Sequence, residues 1–360
     1  MATLNLDPGR LRANLEVASR ACGERGLVLL PVTKLFGSRP EFLAAIDHPA
    51  LRRIADVDSA RFADLDASLV PERTLLITRA SAAAGIARHA TRVMVSDLGA
   101  ARAVGEARSA SEPGRPIELV VTMEAGDLRE GVPWEDAPAF FRELRDIPGI
   151  RVTGLAVNFG CLSGILPSAC LLGELAERRS RLVEETGMDI PEFSLGGTVC
   201  WELLVADQIP RAFTEFRVGE ALFVGFDTSH GKRLPDFSDE VFRLDLEVLE
   251  VWNKEVLVSE CGNSAFGFNA FGETSIQLRH GKRRRAVLAG GENMAHSRSL
   301  EPRPPGLEIV GASHEHLVID CGDAAESLRG GDFIQFKPGY ESLNRCFLSS
   351  SVEILTGGWQ

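Results

Sequence analysis

The feature that most constrains this chain is an alternation running from about residue 8 to 225. Short leucine-rich and β-branched runs are each followed by a longer amphipathic stretch. The runs read as strands at Leu27–Thr33, Arg53–Asp56, Thr74–Ile77, Arg92–Val95, Ile117–Thr122, Arg151–Val157, Glu192–Leu195 and Ala221–Val224. Helices are predicted between them, among them Arg39–Ile46, Ala100–Ser109, Ala137–Arg145 and Ala169–Glu185. Brief, nearly continuous apolar runs suit strands buried on both faces, as in a parallel sheet. About eight βα units over roughly 220 residues predict an α/β fold, a (β/α)8 TIM-type barrel. A doubly wound open sheet is the alternative.

The texture changes after Asp227. His230-Gly231-Lys232-Arg233-Leu234-Pro235 reads as a linker, and beyond it Phe242–Val251 and Leu317–Asp320 alternate with period two. Gly331-Asp332 reads as a turn feeding a strand, and helical periods are scarce. Such a pattern predicts a C-terminal antiparallel β domain. The expected division is therefore 1–230 for the barrel and 231–360 for the β domain. The net charge of −12 disfavours nucleic-acid or anionic-membrane surfaces, while leaving room for a small anionic cofactor held locally. Seven cysteines without a CxxC pair fit reduced thiols in a cytoplasm. Neither a signal peptide nor a membrane span is expected, and no metal site is expected.

A barrel does its chemistry at the C-terminal ends of its strands. Lys34 ends the first apolar run. There it is either a solvated strand-end lysine or a partly desolvated amine nucleophile. Ser194-Leu195-Gly196-Gly197-Thr198 is a strand-to-helix turn whose N–H groups, around Gly197 and Thr198, can nest an anion. In Arg217-Val218-Gly219-Glu220 the glycine lets the backbone approach a phosphate closely. Asn158 closes an apolar run and Cys161 follows it. Arg129, in the loop Gly126–Gly131, is suited to clamping a carboxylate or to pairing with Asp127 or Glu130.

In this order at strand ends, these motifs resemble the alanine racemase superfamily, the fold-type III pyridoxal-phosphate (PLP) enzymes. The chain looks most like their ornithine racemase-like (alanine/ornithine racemase) branch. The resemblance rests on Val32-Thr33-Lys34, the Gly126–Gly131 loop, Asn158 to Pro167, Gly196-Gly197, Arg217 to Ala221, and Gly311-Ala312-Ser313 with His316. It implies a PLP-dependent amino-acid racemase or epimerase. Lys34 matches the Schiff-base lysine, and Arg217 an arginine on the pyridine nitrogen. Gly219 and Glu220 match backbone phosphate donors. Asn158 matches a residue beside the ring, and Arg129 one near the cofactor phenolate and the substrate carboxylate. An amino-acid substrate and a homodimer with shared active sites are implied with them.

The second acid/base is where the pattern departs. The family's Gly-Tyr-Ala-Asp stretch corresponds here to Gly290-Gly291-Glu292-Asn293, without a tyrosine. Ser264 stands before Ala265-Phe266-Gly267 where the branch carries an aspartate, and Thr198-Val199 replaces its Asn-Ser. Candidates for the missing group are Tyr340, the single tyrosine, and Cys161, followed by Glu292, His296, His314 and His316. The same departures suit a fold-type III decarboxylase or aldolase, which needs one proton donor. A non-catalytic PLP-homeostasis protein is a further alternative, and the β domain speaks against it.

Overall fold

The computed structural model describes residues 2–255, 282–322 and 327–357. Cys261 and the Ser264–Gly267 comparison lie outside the described residues. The chain divides into Gly9–Asp239 and a second unit made of Met1–Pro8 with Glu240–Gln360. The first strand, β1 (Ala2–Leu6), belongs to that second unit.

The wall of the first unit is a parallel sheet. Its strands are β2 (Val28–Pro31), β3 (Arg53–Asp56), β4 (Glu72–Leu75), β5 (Arg92–Val95), β6 (Ile117–Thr122), β7 (Ile150–Asn158), β8 (Glu192–Gly196) and β9 (Glu215–Val218). The order β2-β9-β8-β7-β6-β5-β4-β3 brings β3 back toward β2, where a parallel bridge joins Val32 to Ala55. The result is a nearly closed eight-stranded (β/α)8 barrel.

Two of the connecting helices have side-chain caps at their starts. Asp97 caps Leu98–Ser111 by accepting from the Ala100 N–H at 2.7 Å, and Ser168 caps Ala169–Thr186 by accepting from Leu171 at 3.1 Å. Gly187, at φ 61°, ends the latter in the left-handed region. Helix Ala137–Arg145 buries Ala137, Phe141 and Leu144 on one face. A fully buried Leu or Phe contributes about 1.5–3 kcal/mol.

The eighth barrel strand corrects the sequence reading. Ala221–Val224 is not a strand but most of a short helix, Glu220–Val224, and the strand lies earlier, at Glu215–Val218. A four-residue apolar run does not reveal by periodicity whether it is a buried helix or a strand. The true strand was disguised by Glu215 and Arg217, which are buried charges, 5% exposed each. The stretch read as a linker is instead a hairpin of β10 (Phe226–Asp227) and β11 (Lys232–Arg233).

Inside the barrel, Leu30, Val32 and Ala55 pack together, as do Met94, Val120 and Ala156, with Leu76 against both clusters. Because strand side chains alternate, the residue two positions earlier shares the same face. This rule sets Thr74 below Leu76 and Arg92 below Met94.

The second unit is an antiparallel sheet of order β14-β17-β12-β13-β16-β15. It comprises β12 (Phe242–Lys254), β13 (Arg283–Ala289), β14 (Leu300–Pro302), β15 (Glu308–Ala312), β16 (His316–Asp320) and β17 (Phe333–Pro338). β1 pairs antiparallel with β12 and parallel with β18 (Val352–Thr356). The alternation read in Phe242–Val251 is realised: Phe242, Leu244, Leu246 and Val248 are buried. One α-helix, Tyr340–Leu348, and a 3-10 turn at Ser297–Ser299 interrupt the strands of this unit among the described residues.

Candidate active site at the C-terminal ends of the barrel strands

Lys34 opens a 3-10 turn, Lys34–Phe36, just past β2, and its backbone is pinned from below. Arg61 donates through Nη1 to the Lys34 carbonyl and to Asp56 Oδ1, both at 2.9 Å. Asp56, fully buried, also accepts from the Ser38 hydroxyl at 2.6 Å, and Ser38 shares a 2.7 Å hydrogen bond with Thr33. Ser38 holds φ 53°, an uncommon value for a residue with a Cβ, and these two bonds hold it there. Gly37, at φ 66°, closes the turn by donating to the Lys34 carbonyl.

β9 runs beside β2, with Leu30 opposite Arg217 and Pro31 opposite Val218. Gly219 follows immediately. A Cβ there would stand 3.1 Å from the Val32 carbonyl oxygen, so the glycine lets the two strand ends pass closely. Glu220 comes next. Burial pushes its carboxyl up, hydrogen bonds from Thr228 draw it down, and of the nearby charges Asp227 raises it and Lys34 lowers it. Glu220 and Lys34 are thus brought into one another's field.

Arg217 is the centre of the arrangement. Its Nη1 donates to Ser194 Oγ at 2.6 Å and its Nη2 to the Val157 carbonyl at 2.8 Å. Among the described residues it forms no salt bridge. Burial pushes the guanidinium down to about 10, against the pull of Glu215. The α-carbon of Gly196 lies against it: a Cβ there would be 2.2 Å from Arg217 Nη2 and 2.9 Å from Asn158 Oδ1. Gly197 holds φ 117°, and a Cβ on it would meet the Phe159 carbonyl at 2.7 Å. Thr198 is buried and accepts from the Ala221 N–H at 3.3 Å, tying the β8 and β9 loops together.

The next two loops are joined by Asp127. It is buried and accepts from Asn158 Nδ2 at 3.1 Å and from the N–H groups of Leu162 and Ser163 at 2.9 and 3.3 Å. Arg129 pairs with Glu130, the larger of the effects that raise its guanidinium, against burial, with Cys161 adding to them. Glu130 also lies within the field of Arg217. Cys161 itself is exposed.

Lys34, Asn158, Gly197, Thr198, Arg217, Gly219 and Glu220 therefore gather at neighbouring strand ends, with Arg129 and Cys161 beside them. Tyr340 belongs to the second unit, where it is half-buried and opens the helix Tyr340–Leu348. Glu292, His296, His314 and His316 belong to that unit too. The Glu292 carboxylate accepts from His296 Nδ1 at 2.9 Å and from Arg345 Nη1 at 2.6 Å. Among the described residues no group of His, Cys, Asp and Glu could hold a metal ion. Sequence reasoning named Gly196, Asp127 and Ser194 only as members of their motifs and gave Glu215 no role. Glu215 is legible only once the eighth strand is placed, because its polar side chain then alternates with apolar neighbours on β9.

A (β/α)8 barrel with its polar residues converging at the C-terminal strand ends is an enzyme architecture for small molecules. The family model for the alanine racemase N-terminal domain matches residues 6–226, and the chain belongs to that family. It is 27% identical over 352 residues to the ornithine racemase of Acetoanaerobium sticklandii, covering 97% of this chain and 98% of the relative. It is 30% identical over 347 residues to the lysine racemase of Thermotoga maritima, covering 95% and 93%. Among solved structures, the alanine racemase of Streptomyces coelicolor aligns with a TM-score of 0.72 at 16% identity, covering 99% of this chain and 97% of that one. The D-threonine aldolase of Filomicrobium marinum aligns with a TM-score of 0.68, at 16% identity and covering 96% and 89%. These two likenesses concern the fold. By its relatives the protein is an amino-acid racemase, an isomerase.

Proposed function

We propose that this racemase uses pyridoxal phosphate held by Lys34 and acts on basic amino acids of the ornithine and lysine type. The observation that carries the cofactor reading is Arg217, a buried guanidinium without a carboxylate partner among the described residues, beside the strand that leads into Lys34. A buried cation needs acceptors, and Arg217 has a hydroxyl and a carbonyl but no anion. A pyridine nitrogen supplies a lone pair without a proton, which suits a donor-only guanidinium. The Gly197-Thr198 and Gly219-Glu220 turns supply a second element of fit. The first N–H groups of such turns have no intrahelical acceptor; at Gly197 a Cβ is excluded by the Phe159 carbonyl at 2.7 Å, and at Gly219 it would crowd the Val32 carbonyl at 3.1 Å. The donor set therefore fits an aromatic nitrogen at one end and a phosphate at the other.

When bound, PLP supplies the electron sink that makes the α-proton of an amino acid removable. Arg217 holds the ring nitrogen and, since a guanidinium gives up its proton reluctantly, keeps that nitrogen unprotonated. The Thr198, Gly219 and Glu220 turns bind the phosphate, and Asn158, fixed by Asp127, orients the ring. Lys34 Nζ removes or returns the α-proton on one face. Arg129 receives the substrate carboxylate. Cys161 is the candidate of this unit for the opposite face, supported by its place beside Arg129, and Tyr340 is the candidate of the second unit. The basic-substrate reading is supported by the names of the two curated relatives. A homodimer in the cytoplasm completes the proposal. The free thiols of all six described cysteines are compatible with that location. Among the described residues no helix is long and apolar enough to cross a membrane.

The test is solvent exchange. In D2O, ornithine or lysine should lose optical rotation and gain α-deuterium, and Lys34→Ala should abolish both together with the visible absorption of the bound cofactor. Carbon dioxide and an amine as products would replace racemisation with decarboxylation, and glycine with an aldehyde would replace it with carbon–carbon cleavage. A cofactor band unchanged in Lys34→Ala would overturn the assignment of Lys34. Comparing Cys161→Ala with Tyr340→Phe identifies the opposite-face group: its loss should stop exchange in one substrate enantiomer first.

A further inference from the structure

Along the seam between β8 and β9 the barrel interior holds a row of polar side chains that the assignments above leave unused. It begins at Arg92 on β5, whose Nε donates to Thr74 at 3.1 Å and whose Nη1 donates to Glu192 at 3.1 Å. Arg92 Nη2 donates to both carboxylate oxygens of Glu215, at 2.6 Å each. Glu215 Oε1 also accepts from the Ser194 hydroxyl, and Ser194 Oγ accepts from Arg217. Glu215 and Arg217 lie two residues apart on β9, and so face the same way. Ser194, Glu215, Arg217 and Arg92 are all buried, at 1%, 5%, 5% and 8% exposure.

The direction of the central link is fixed by valence. A carboxylate only accepts and a guanidinium only donates, while a serine hydroxyl has one proton and two lone pairs. Ser194 must therefore give its proton to Glu215 and present a lone pair to Arg217. Donating to an anion increases the negative charge on Oγ and strengthens its acceptance from Arg217. A direct Glu–Arg217 pair would occupy the guanidinium's donors and offset its charge toward the barrel mouth. Interposing a hydroxyl, with Arg92 bound to the carboxylate, orients Arg217 and leaves it cationic toward the barrel mouth.

We propose that Ser194 and Glu215 are positioning residues for Arg217: the Arg92–Glu215 pair in the barrel interior orients the Ser194 hydroxyl, and this hydroxyl aims the guanidinium at the cofactor ring. The proposal rests on the PLP reading of Arg217. It gives a role to a buried ion pair that otherwise reads as structural filling of the interior.

The experiment uses full-length protein reconstituted with PLP. It measures the PLP dissociation constant and the pH midpoint of the cofactor's visible band for wild type, Ser194→Ala, Glu215→Gln and Thr74→Val. Ser194→Ala removes one hydroxyl and leaves Arg92–Glu215 intact. It should weaken PLP binding about tenfold, the scale of one charge-assisted hydrogen bond, and shift the midpoint by about half a unit or more. Glu215→Gln should move both readouts in the same sense as Ser194→Ala. Thr74→Val, at the far end of the row, should lower the melting temperature and leave both readouts at wild-type values. If Ser194→Ala stays folded by circular dichroism and keeps the wild-type midpoint and affinity, the proposal is overturned while the PLP reading stands. A shift in Thr74→Val equal to that in Ser194→Ala also overturns it, since a general loosening of the barrel then explains both. Wild-type protein that forms no cofactor band overturns the PLP reading and this proposal together.

Discussion

At the scale of single residues the site depends on what is missing as much as on what is present. Gly196 has room for a hydrogen only, because a Cβ would stand 2.2 Å from Arg217 Nη2. An arginine end is normally free to move aside, but this one is held by Ser194 and the Val157 carbonyl. Gly196→Ala is therefore expected to lose about 1–3 kcal/mol of stability by overpacking, and to weaken PLP binding more than Gly187→Ala at an exposed helix end. Paired thermal melts and cofactor titrations measure both, and equal PLP affinity in the two variants would contradict the crowding of Arg217. Lys34 was legible in the sequence as a strand-end amine, and Gly219 as a close-approach glycine. Gly196 was not singled out within its Gly-Gly pair, because which of two adjacent glycines faces an arginine depends on strand register.

At the scale of elements, the helices and most barrel strands followed from patterning, and the eighth strand did not. Short-range pattern favoured the apolar Ala221–Val224, whereas the barrel accepted Glu215–Val218 because its charged side chains find partners across the interior on β5 and β8. In the second unit a comparable cluster ties the helix Tyr340–Leu348 to the segment ahead of it. Arg345 donates to both the carbonyl and the carboxylate of Glu292, which also accepts from His296 and Ser297. Burial pushes the Glu292 carboxyl up, but the hydrogen bonds from His296 and Ser297 outweigh it and hold the group below its ordinary value. A carboxyl depressed in the folded state stabilises fully above the unfolded value and loses that stabilisation as pH falls through the folded one. Glu292→Gln should therefore cost about 1–3 kcal/mol near neutral pH. The gap from wild type should close as the pH drops below the ordinary carboxylate range. Urea melts across that range measure it, and a gap that widens in acid would contradict the depressed value.

At the scale of the whole molecule, the proposed homodimer is tested by analytical ultracentrifugation of the PLP-loaded protein, with twice the chain mass expected. If Tyr340 serves a partner's site, mixing inactive Lys34→Ala with inactive Tyr340→Phe should restore about a quarter of wild-type activity, as expected for random exchange of protomers with one intact shared site in half of the dimers. No recovery on mixing, with exchange of protomers verified, would place a complete site within one chain. The sequence by itself determined the barrel, the β-rich C-terminal part and the set of strand-end residues, because these follow from local periodicity and from residue chemistry that needs no neighbour. Only the tertiary structure decided which strand is the eighth, that β1 pairs with β12 and β18 in the second unit, and that Arg217 is anchored through Ser194 to Glu215. Those facts depend on strand pairing and on burial of charge across a nearly closed barrel, where residues distant in sequence supply the hydrogen bonds that make a buried charge tolerable.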